Sequence, residues 1–239
     1  MEFDNRFSNI NSREQELAMS RSLPLLMRKV YTWMTMALII TGVVAYGVGT
    51  SEALLMAIFN NSIVFFGLMI AELALVFYLS ARIHKLSLPS ATIGFIAFSV
   101  INGLTLGSIF AVYSIGSIAQ TFFVTAGTFS AMAFIGYTTK KDLSNIGGYL
   151  LMALFGLIIA GMVNIFLKSS MFDFILSGLI VLVFTGLTAW DVQTIKKMLM
   201  HAPDAGESAQ KIALLGALNL YLDFINLFIH LLRFFGSRD

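Results

Sequence analysis

Five polar side chains recur every three or four residues within an otherwise apolar stretch near the end of the chain. Their spacing of 4, 3, 4 and 3 residues places them on one face of an α-helix. An ionised carboxylate that faces hydrocarbon is costly, so this face should contact protein or water. We therefore expect this helix to lie at the centre of a bundle. The five residues are Asn219, Asp223, Asn226, His230 and Arg233.

Three more charged side chains lie within or at the edge of apolar runs: Glu72, Arg82 and Asp191. Charged residues at membrane depth are functional candidates by default and usually have a partner. Each also has an ordinary interpretation: Glu72 as a neutral acid bonded to a neighbouring helix, Asp191 as a solvated boundary residue, and Arg82 as a cytoplasmic anchor. Asp223 is the hardest to explain in this way, because it is deep in its span.

The composition is typical of a helical membrane protein. Of the 239 residues, 58% are hydrophobic and 12% are charged, whereas about a quarter of a soluble domain is charged. Residues 1–29 are polar, and we expect a tail there before an uncleaved first span. The rest, 30–239, is predicted to form one all-α domain of seven transmembrane helices with the C-terminal helix central. The predicted spans, each about 20 residues long, are 30–49, 62–81, 90–113, 118–137, 147–167, 171–190 and 212–235.

Basic residues are unevenly distributed between the two sides of the predicted bundle. With the N-terminus in the cytoplasm, the cytoplasmic side holds 12 basic residues and the other side holds 3. Because cytoplasmic loops are enriched in Lys and Arg, we expect a cytoplasmic N-terminus, with 191–211 as an exposed loop on the same side. The distribution of basic residues does not distinguish a topology of seven spans from one of six spans plus a re-entrant last helix. The length of 212–235 favours seven.

The sequence lacks the motifs of several enzyme classes. It has no cysteine, which excludes disulfides, thiolate metal sites and a cysteine nucleophile. It has no HExxH, GxSxG or Walker motif, and its three histidines lie in separate segments. Its basic residues lie in loops, so nucleic-acid binding has no support. We expect no enzymatic activity and no resident cofactor.

Several motifs resemble those of one known family. LYLDFINLF at 220–228, followed by LLRFFG at 231–236, resembles the C-terminal signature of the Bax-inhibitor (transmembrane Bax inhibitor motif) family. TAWDVQTI at 188–195 is similar to the sixth-helix motif of that family. The segments 72–82, 103–106 and 140–143 also fit, and the resemblance extends from about residue 25 to the end. The short tails and compact loops resemble those of bacterial members, which implies a bacterial inner membrane.

The resemblance implies a seven-helix fold and a pH-sensitive calcium leak. It implies that Asp191 and Asp223 pair as a proton-sharing sensor, that Arg82 latches this pair with Lys85 as the alternative, and that Glu72 and Arg233 form a second charged pair. Counting along the runs places Asp191 near the membrane edge and Asp223 near the middle. Contact between them requires the sixth helix to extend beyond Trp190, or the seventh to begin earlier.

The resulting hypothesis is a leak whose opening follows the protonation of the aspartate pair and the hold of Arg82 on that pair. Two adjacent carboxyl groups share a proton and titrate as a unit. Calcium prefers oxygen ligands, so we expect its path to pass Asp223, Asn219 and Asn226, with His230 near it and transient binding at Asp191 and Asp223. The expected partners are the lipid bilayer, calcium ions and protons.

Three alternatives use the same sequence differently. A proton-coupled calcium antiporter would use the same carboxylates. A regulator that binds other membrane proteins, such as a membrane protease or cell-death factors, would act through the tail 1–29 without transport. A membrane hydrolase would need Glu72 and His230, but the sequence offers it no nucleophile.

Overall fold

The computed structural model describes the backbone of residues 2–203 and 205–237, and the side chains of residues 17, 19–203 and 205–237. This part of the chain forms nine helices and no strand. The prediction of an all-α protein is therefore confirmed. The helices are α1 (Glu2–Gly49), α2 (Glu52–Phe59), α3 (Ser62–Arg82), α4 (Leu88–Leu106), α5 (Ile109–Val112), α6 (Ile115–Thr138), α7 (Ser144–Leu167), α8 (Ser170–Met200) and α9 (Glu207–Phe235).

Seven of the helical segments in the described residues are long and apolar enough to cross a membrane, as predicted. They are the Met19–Gly49 part of α1, then α3, then α4 with α5 as Leu88–Val112, and then α6, α7, α8 and α9. The predicted run 90–113 is thus two helices, because the chain turns at Gly107 and Ser108.

The last helix lies at the centre of the bundle, as its polar face predicted. Within its most apolar window 72% of the residues are buried, against 6% in α3 and in α7. Helices α8, α1, α6 and α4 pack around it. Small residues permit this close packing, since Ala209 and Ala217 are fully buried and Gly216 is buried as well.

Helix α9 runs through the bundle from one end to the other. Its 29 residues extend about 43 Å at 1.5 Å per residue, which exceeds the roughly 30 Å of bilayer hydrocarbon. Just beyond its end, the Ser237 amide donates to Ser117 Oγ at 2.9 Å, and the Ser114 amide donates to the Ser237 carbonyl at 3.2 Å. These bonds join the end of α9 to the start of α6. The last helix is therefore continuous and long enough for a full span, as predicted, with no break that a re-entrant segment would need.

The packed core begins before the predicted boundary between tail and domain. Met19, Leu23, Leu26 and Met27 are buried in the main core cluster, so the expected limit at residue 30 falls inside α1. Their spacing of three or four residues makes an apolar stripe. The polar residues between them lower the average hydropathy of this stretch and conceal that stripe. The prediction for the tail before residue 17 falls on side chains outside those that the structure describes.

The glycine pair at 103 and 107 brings α4 against α1. A Cβ at Gly103 would lie 2.8 Å from the carbonyl oxygen of Thr41, and a Cβ at Gly107 would meet the Val48 side chain. A residue larger than glycine therefore does not fit at this crossing. The GxxxG spacing serves helix packing here.

The segment predicted as a long loop, 191–211, is mostly helical. Helix α8 continues ten residues past Trp190 to Met200, and α9 begins at Glu207. The loop prediction is wrong because charged residues break the apolar run, while the helical stripe of Val192, Ile195 and Leu199 persists and is buried. The two helices on either side of the short turn can thus face each other along their length.

Candidate functional site

The side chains of Asp191 and Asp223 are hydrogen-bonded to each other between α8 and α9. Two ways in which this contact could form were predicted from the sequence, and both occur. Helix α8 extends past Trp190, and α9 begins at Glu207, before the predicted start at residue 212. Asp223 is only 4% exposed, and its Oδ2 atom is buried with no hydrogen-bond partner among the described residues. A hydrogen bond between two carboxyl groups needs a proton on one of them.

Three glycines bring neighbouring helices close to the stretch of α8 that carries Asp191. A Cβ at Gly136 of α6 would collide with the backbone of Ala189, and one at Gly147 of α7 would collide with the Trp190 ring. On α9, a Cβ at Gly216 would lie 2.9 Å from the Ile195 side chain. Helix α8 is thus held between α6, α7 and α9 at the level of the aspartate pair.

The polar face of α9 is directed largely at α8. His230 Nδ1 lies 3.2 Å from Ser177 Oγ, and Arg233 Nη1 donates to both carboxylate oxygens of Asp173 at 2.8 and 2.9 Å. Together with the Asp191–Asp223 contact, these pairs follow the antiparallel seam between the two helices. The face predicted from the 4, 3, 4, 3 spacing therefore contacts protein.

The two asparagines of this face have a different environment. Asn226 Nδ2 donates to the carbonyl of Leu222 in its own helix at 2.8 Å, and Asn219 is half-buried. Neither amide is bonded to the carboxyl pair in the described structure. Their expected place in an ion path stays a prediction.

Glu72 belongs to a separate polar cluster. Thr105 Oγ1 donates to Glu72 Oε1 at 2.7 Å, and Asn102 is also hydrogen-bonded to this carboxyl group. The hydroxyl of Tyr221 donates to Asn102 Oδ1 at 2.9 Å and lies 2.7 Å from Thr41 Oγ1. The cluster thereby connects α3, α4, α9 and α1.

The expected pairing of Glu72 with Arg233 is not formed. Arg233 binds Asp173, and Glu72 binds α4. The physical reason is the position of α3, which packs on α4 and α2 at the edge of the bundle. The charge near the end of α9 is instead neutralised by the acidic first turn of α8.

The expected latch contact of Arg82 is also absent from this structure. Arg82 is exposed in the last turn of α3, and among the described residues it forms no ion pair with Asp191 or Asp223. Its alternative, Lys85, is likewise exposed and unpaired in that part of the chain. Helix α3 lies against α4 and not in the α8–α9 seam, so neither cation reaches the carboxyl pair.

The end of α8 beyond the aspartate is tied to the loop 139–143. Gln193 Nε2 donates to the carbonyl of Lys141, while the Leu143 amide donates to Gln193 Oε1, both at 2.8 Å. Lys197 forms an ion pair with Asp142. Hydrogen bonds from Lys197 and Ser144 lower the pKa of Asp142 to about 2, so this carboxylate is ionised across the physiological range.

The described side chains contain no group of three or more His, Cys, Asp or Glu residues able to hold a metal ion. Asp191 and Asp223 contribute two carboxyl groups, and calcium takes six to eight oxygen ligands. These residues do not build a resident calcium site. The predicted transient binding stays a prediction.

Comparison with known proteins agrees with the motifs and the fold. The model of the family described as "Inhibitor of apoptosis-promoting Bax1" matches residues 23–239. The chain is a member of the Bax-inhibitor family. It is 49% identical over 213 residues to the inner membrane protein YbhL of Escherichia coli (strain K12), a match that covers 89% of this chain and 91% of that protein.

Other bacterial relatives match over similar lengths. An uncharacterized protein of Borreliella burgdorferi is 42% identical over 230 residues, covering 96% of this chain and 98% of the relative. A protein of Rickettsia prowazekii is 41% identical over 214 residues, covering 89% of each. With the seven apolar helices, these matches make the chain a multi-pass membrane protein of the Bax-inhibitor family.

Several residues that form polar contacts between the helices were not predicted from the sequence. Asp173 and Ser177 are four residues apart on α8 and face His230 and Arg233 across the seam. A signal existed, because i, i+4 polar residues in one span match i, i+3 polar residues in its antiparallel neighbour. The partners of Glu72 left no such signal, since Thr41, Asn102 and Tyr221 come from three distant segments.

Proposed function

We propose that this Bax-inhibitor family protein is a calcium leak channel whose opening depends on the protonation of Asp191 and Asp223. The observation that carries the proposal is the contact of the buried Asp223 carboxyl group with the half-buried Asp191, on the two helices that pack most extensively on each other. Family membership supports it, and so does the depth of Asp223 in the central helix. No other side chain in the described core has a carboxyl group as buried.

The contact between the two carboxyl groups can exist in two states, singly protonated or fully ionised. With one shared proton, the pair is held together by a hydrogen bond. When both groups are ionised, two negative charges lie within bonding distance in a low-dielectric interior and repel each other strongly. The α8–α9 seam at this level then loses an attraction and gains a repulsion. Helix arrangement and pH are thereby coupled.

The arrangement described here corresponds to a closed path at the level of Asp223, because the residue is 4% exposed. Its unpartnered Oδ2 atom is a free acceptor that a water molecule, a proton or a passing cation would bind. Oxygen ligands suit calcium. We infer that opening admits water and calcium to this oxygen, and that no ion resides there between passages.

The location and orientation belong to the same proposal. We place the protein in the bacterial inner membrane, as its E. coli relative is an inner membrane protein, with its N-terminus in the cytoplasm. The basic bias of 12 to 3 supports this orientation. The turn between α8 and α9 then also faces the cytoplasm, and the pair responds to cytoplasmic pH.

Calcium flux into liposomes that contain this protein alone tests the proposal. We expect flux down a calcium gradient with equal pH on both sides, and we expect its rate to change as that common pH is varied. Protein-free liposomes and liposomes with heat-denatured protein are the controls. Flux that occurs only under an imposed proton gradient would assign the protein to the antiporter class. Absence of flux at every pH from folded protein would reject transport and favour a regulator.

A further inference from the structure

A basic cavity lies at the end of α8, on the side of the membrane where α6 ends. It is open to solvent, has a volume of about 510 Å³ and is lined by loop residues 139–142 and the last turns of α8. Four lysines line it, against a single acidic residue. The charged and titratable residues of this wall are Lys140, Lys141, Asp142, Lys196, Lys197 and His201.

Two of the lysines already have partners. Lys197 forms an ion pair with Asp142, and Lys196 Nζ donates to the carbonyl of Tyr137 at 2.9 Å, 4.9 Å from the centre of its ring. Lys140 and Lys141 are exposed and form no ion pair within the described part of the chain. The cavity wall therefore carries an excess of positive charge with two uncommitted ammonium groups.

The backbone of this cavity is held in place. Gln193 binds the loop with both ends of its amide, accepting from the Leu143 amide and donating to the Lys141 carbonyl. The Lys141 amide donates to Thr139 Oγ1 at 3.2 Å. The lysines thus extend from a fixed loop and a helix, which lowers the entropic cost of gathering them around a ligand.

We propose that this cavity binds a phosphate-bearing anion. A phosphate offers several oxygens and more than one negative charge, which suits a set of ammonium groups better than a single carboxylate does. Basic pockets between membrane helices on the cytoplasmic side accommodate anionic lipid head groups. The same chemistry would come from a soluble phosphate compound. The site stands independently of the proposed calcium leak.

An ordinary positive-inside bias explains why lysines lie on this side of the membrane. It does not explain why four of them, from two separate segments, converge on one cavity. The two explanations differ in what happens when basic residues are removed elsewhere on the same side. Arg21 and Lys85 are exposed basic residues at that end of the bundle and lie outside the cavity lining.

The test uses the full chain in nanodiscs and two matched double variants. One is Lys140→Gln with Lys141→Gln, and the control is Arg21→Gln with Lys85→Gln. All four side chains are exposed, so both variants should fold. In phosphatidylcholine nanodiscs, pyrophosphate binding is measured by calorimetry at constant ionic strength. In a second arm, the shift in thermal unfolding between phosphatidylcholine and phosphatidylglycerol nanodiscs is measured.

We expect a specific response in at least one arm: saturable pyrophosphate binding that the cavity variant weakens roughly tenfold or more, or a rise in unfolding temperature in phosphatidylglycerol that the cavity variant largely loses. The control variant should change neither response. Binding of pyrophosphate identifies a soluble ligand. A response to phosphatidylglycerol alone identifies a lipid head group. Absence of a specific response in both arms, or equal weakening by both double variants, would overturn the site and leave only the general charge bias.

Discussion

At the scale of single residues, the polar groups of this membrane protein differ most in whether they have hydrogen-bond or ion-pair partners. Asp223 is buried and one of its oxygens has no partner within the described part of the chain, a condition that costs about 1–3 kcal/mol. Arg233 and Asp173 are partly exposed and fully paired, and such pairs contribute only about 0–1 kcal/mol. The unsatisfied group is the one to expect at a working site, whereas the satisfied pair serves to align α8 with α9.

In contrast to Asp223, the hydroxyl of Tyr221 has a structural role, and we expect its removal to lower stability. Tyr221 is fully buried between Asn102 and Thr41. Tyr221→Phe should destabilise the protein by about 1–3 kcal/mol, because it removes the hydrogen bonds of a buried hydroxyl to Asn102 and Thr41. Unfolding in detergent measures this change. Tyr149→Phe is the control at an exposed position and should have almost no effect; equal losses in both variants would contradict the role of the cluster.

At the scale of helices, close approaches at glycine decide where α8 lies. Gly136, Gly147 and Gly216 each meet α8 within seven residues of one another along it. Other glycines of the same helices face open space, including Gly127 and Gly148. The first three glycines are therefore required for close helix packing, and the other two are not.

Two alanine substitutions in α6 should therefore have opposite effects. Gly136→Ala places a methyl group against the Ala189 backbone, and overpacking of this kind costs about 1–3 kcal/mol. Gly127→Ala meets nothing within 4 Å and should stabilise the helix by about 0.5–1 kcal/mol. Thermal unfolding of both variants compares them directly. Stabilisation by Gly136→Ala would show that α6 and α8 are not in contact there.

The helices were predictable from the sequence to different degrees. The centrality of α9 follows from a polar face within an apolar run. The full length of α8 does not follow from hydropathy, because Gln193, Lys196 and Lys197 interrupt an apolar stripe that packing nevertheless buries. The missing Arg82 contact has a different origin. Which neighbour α3 packs on is a property of the whole bundle, and nothing in its own sequence specifies it.

At the scale of the whole molecule, burial is concentrated on one helix and two helices are peripheral. In α3 and α7 only 6% of the residues in the apolar window are buried, so each packs one face on a neighbouring helix and leaves much of the rest for lipid. Helices α1, α4, α6 and α8 all pack directly on α9. This distribution is consistent with the proposed opening at the contact between α8 and α9, and not at the peripheral helices α3 and α7.

Seven spans would place successive turns on alternate sides of the membrane, and the proposed cytoplasmic N-terminus specifies which side. Cysteine labelling can check both because the chain has no native cysteine. Lys140→Cys and Ala205→Cys should react with an impermeant maleimide only after spheroplasts are permeabilised. Asn60→Cys should react in intact spheroplasts. Labelling of positions 140 and 205 from opposite sides would contradict the fold, and labelling of both in intact spheroplasts would contradict the cytoplasmic N-terminus.

The most direct test of the central claim is the pH profile of calcium flux in liposomes for Asp223→Asn, with Asp173→Asn as the matched control on the neighbouring helix. Asparagine has nearly the shape of aspartic acid, but it neither ionises nor shares a proton with Asp191. We predict that Asp223→Asn removes most of the pH dependence while Asp173→Asn keeps the wild-type profile. An Asp223→Asn profile that overlays the wild type would contradict the account.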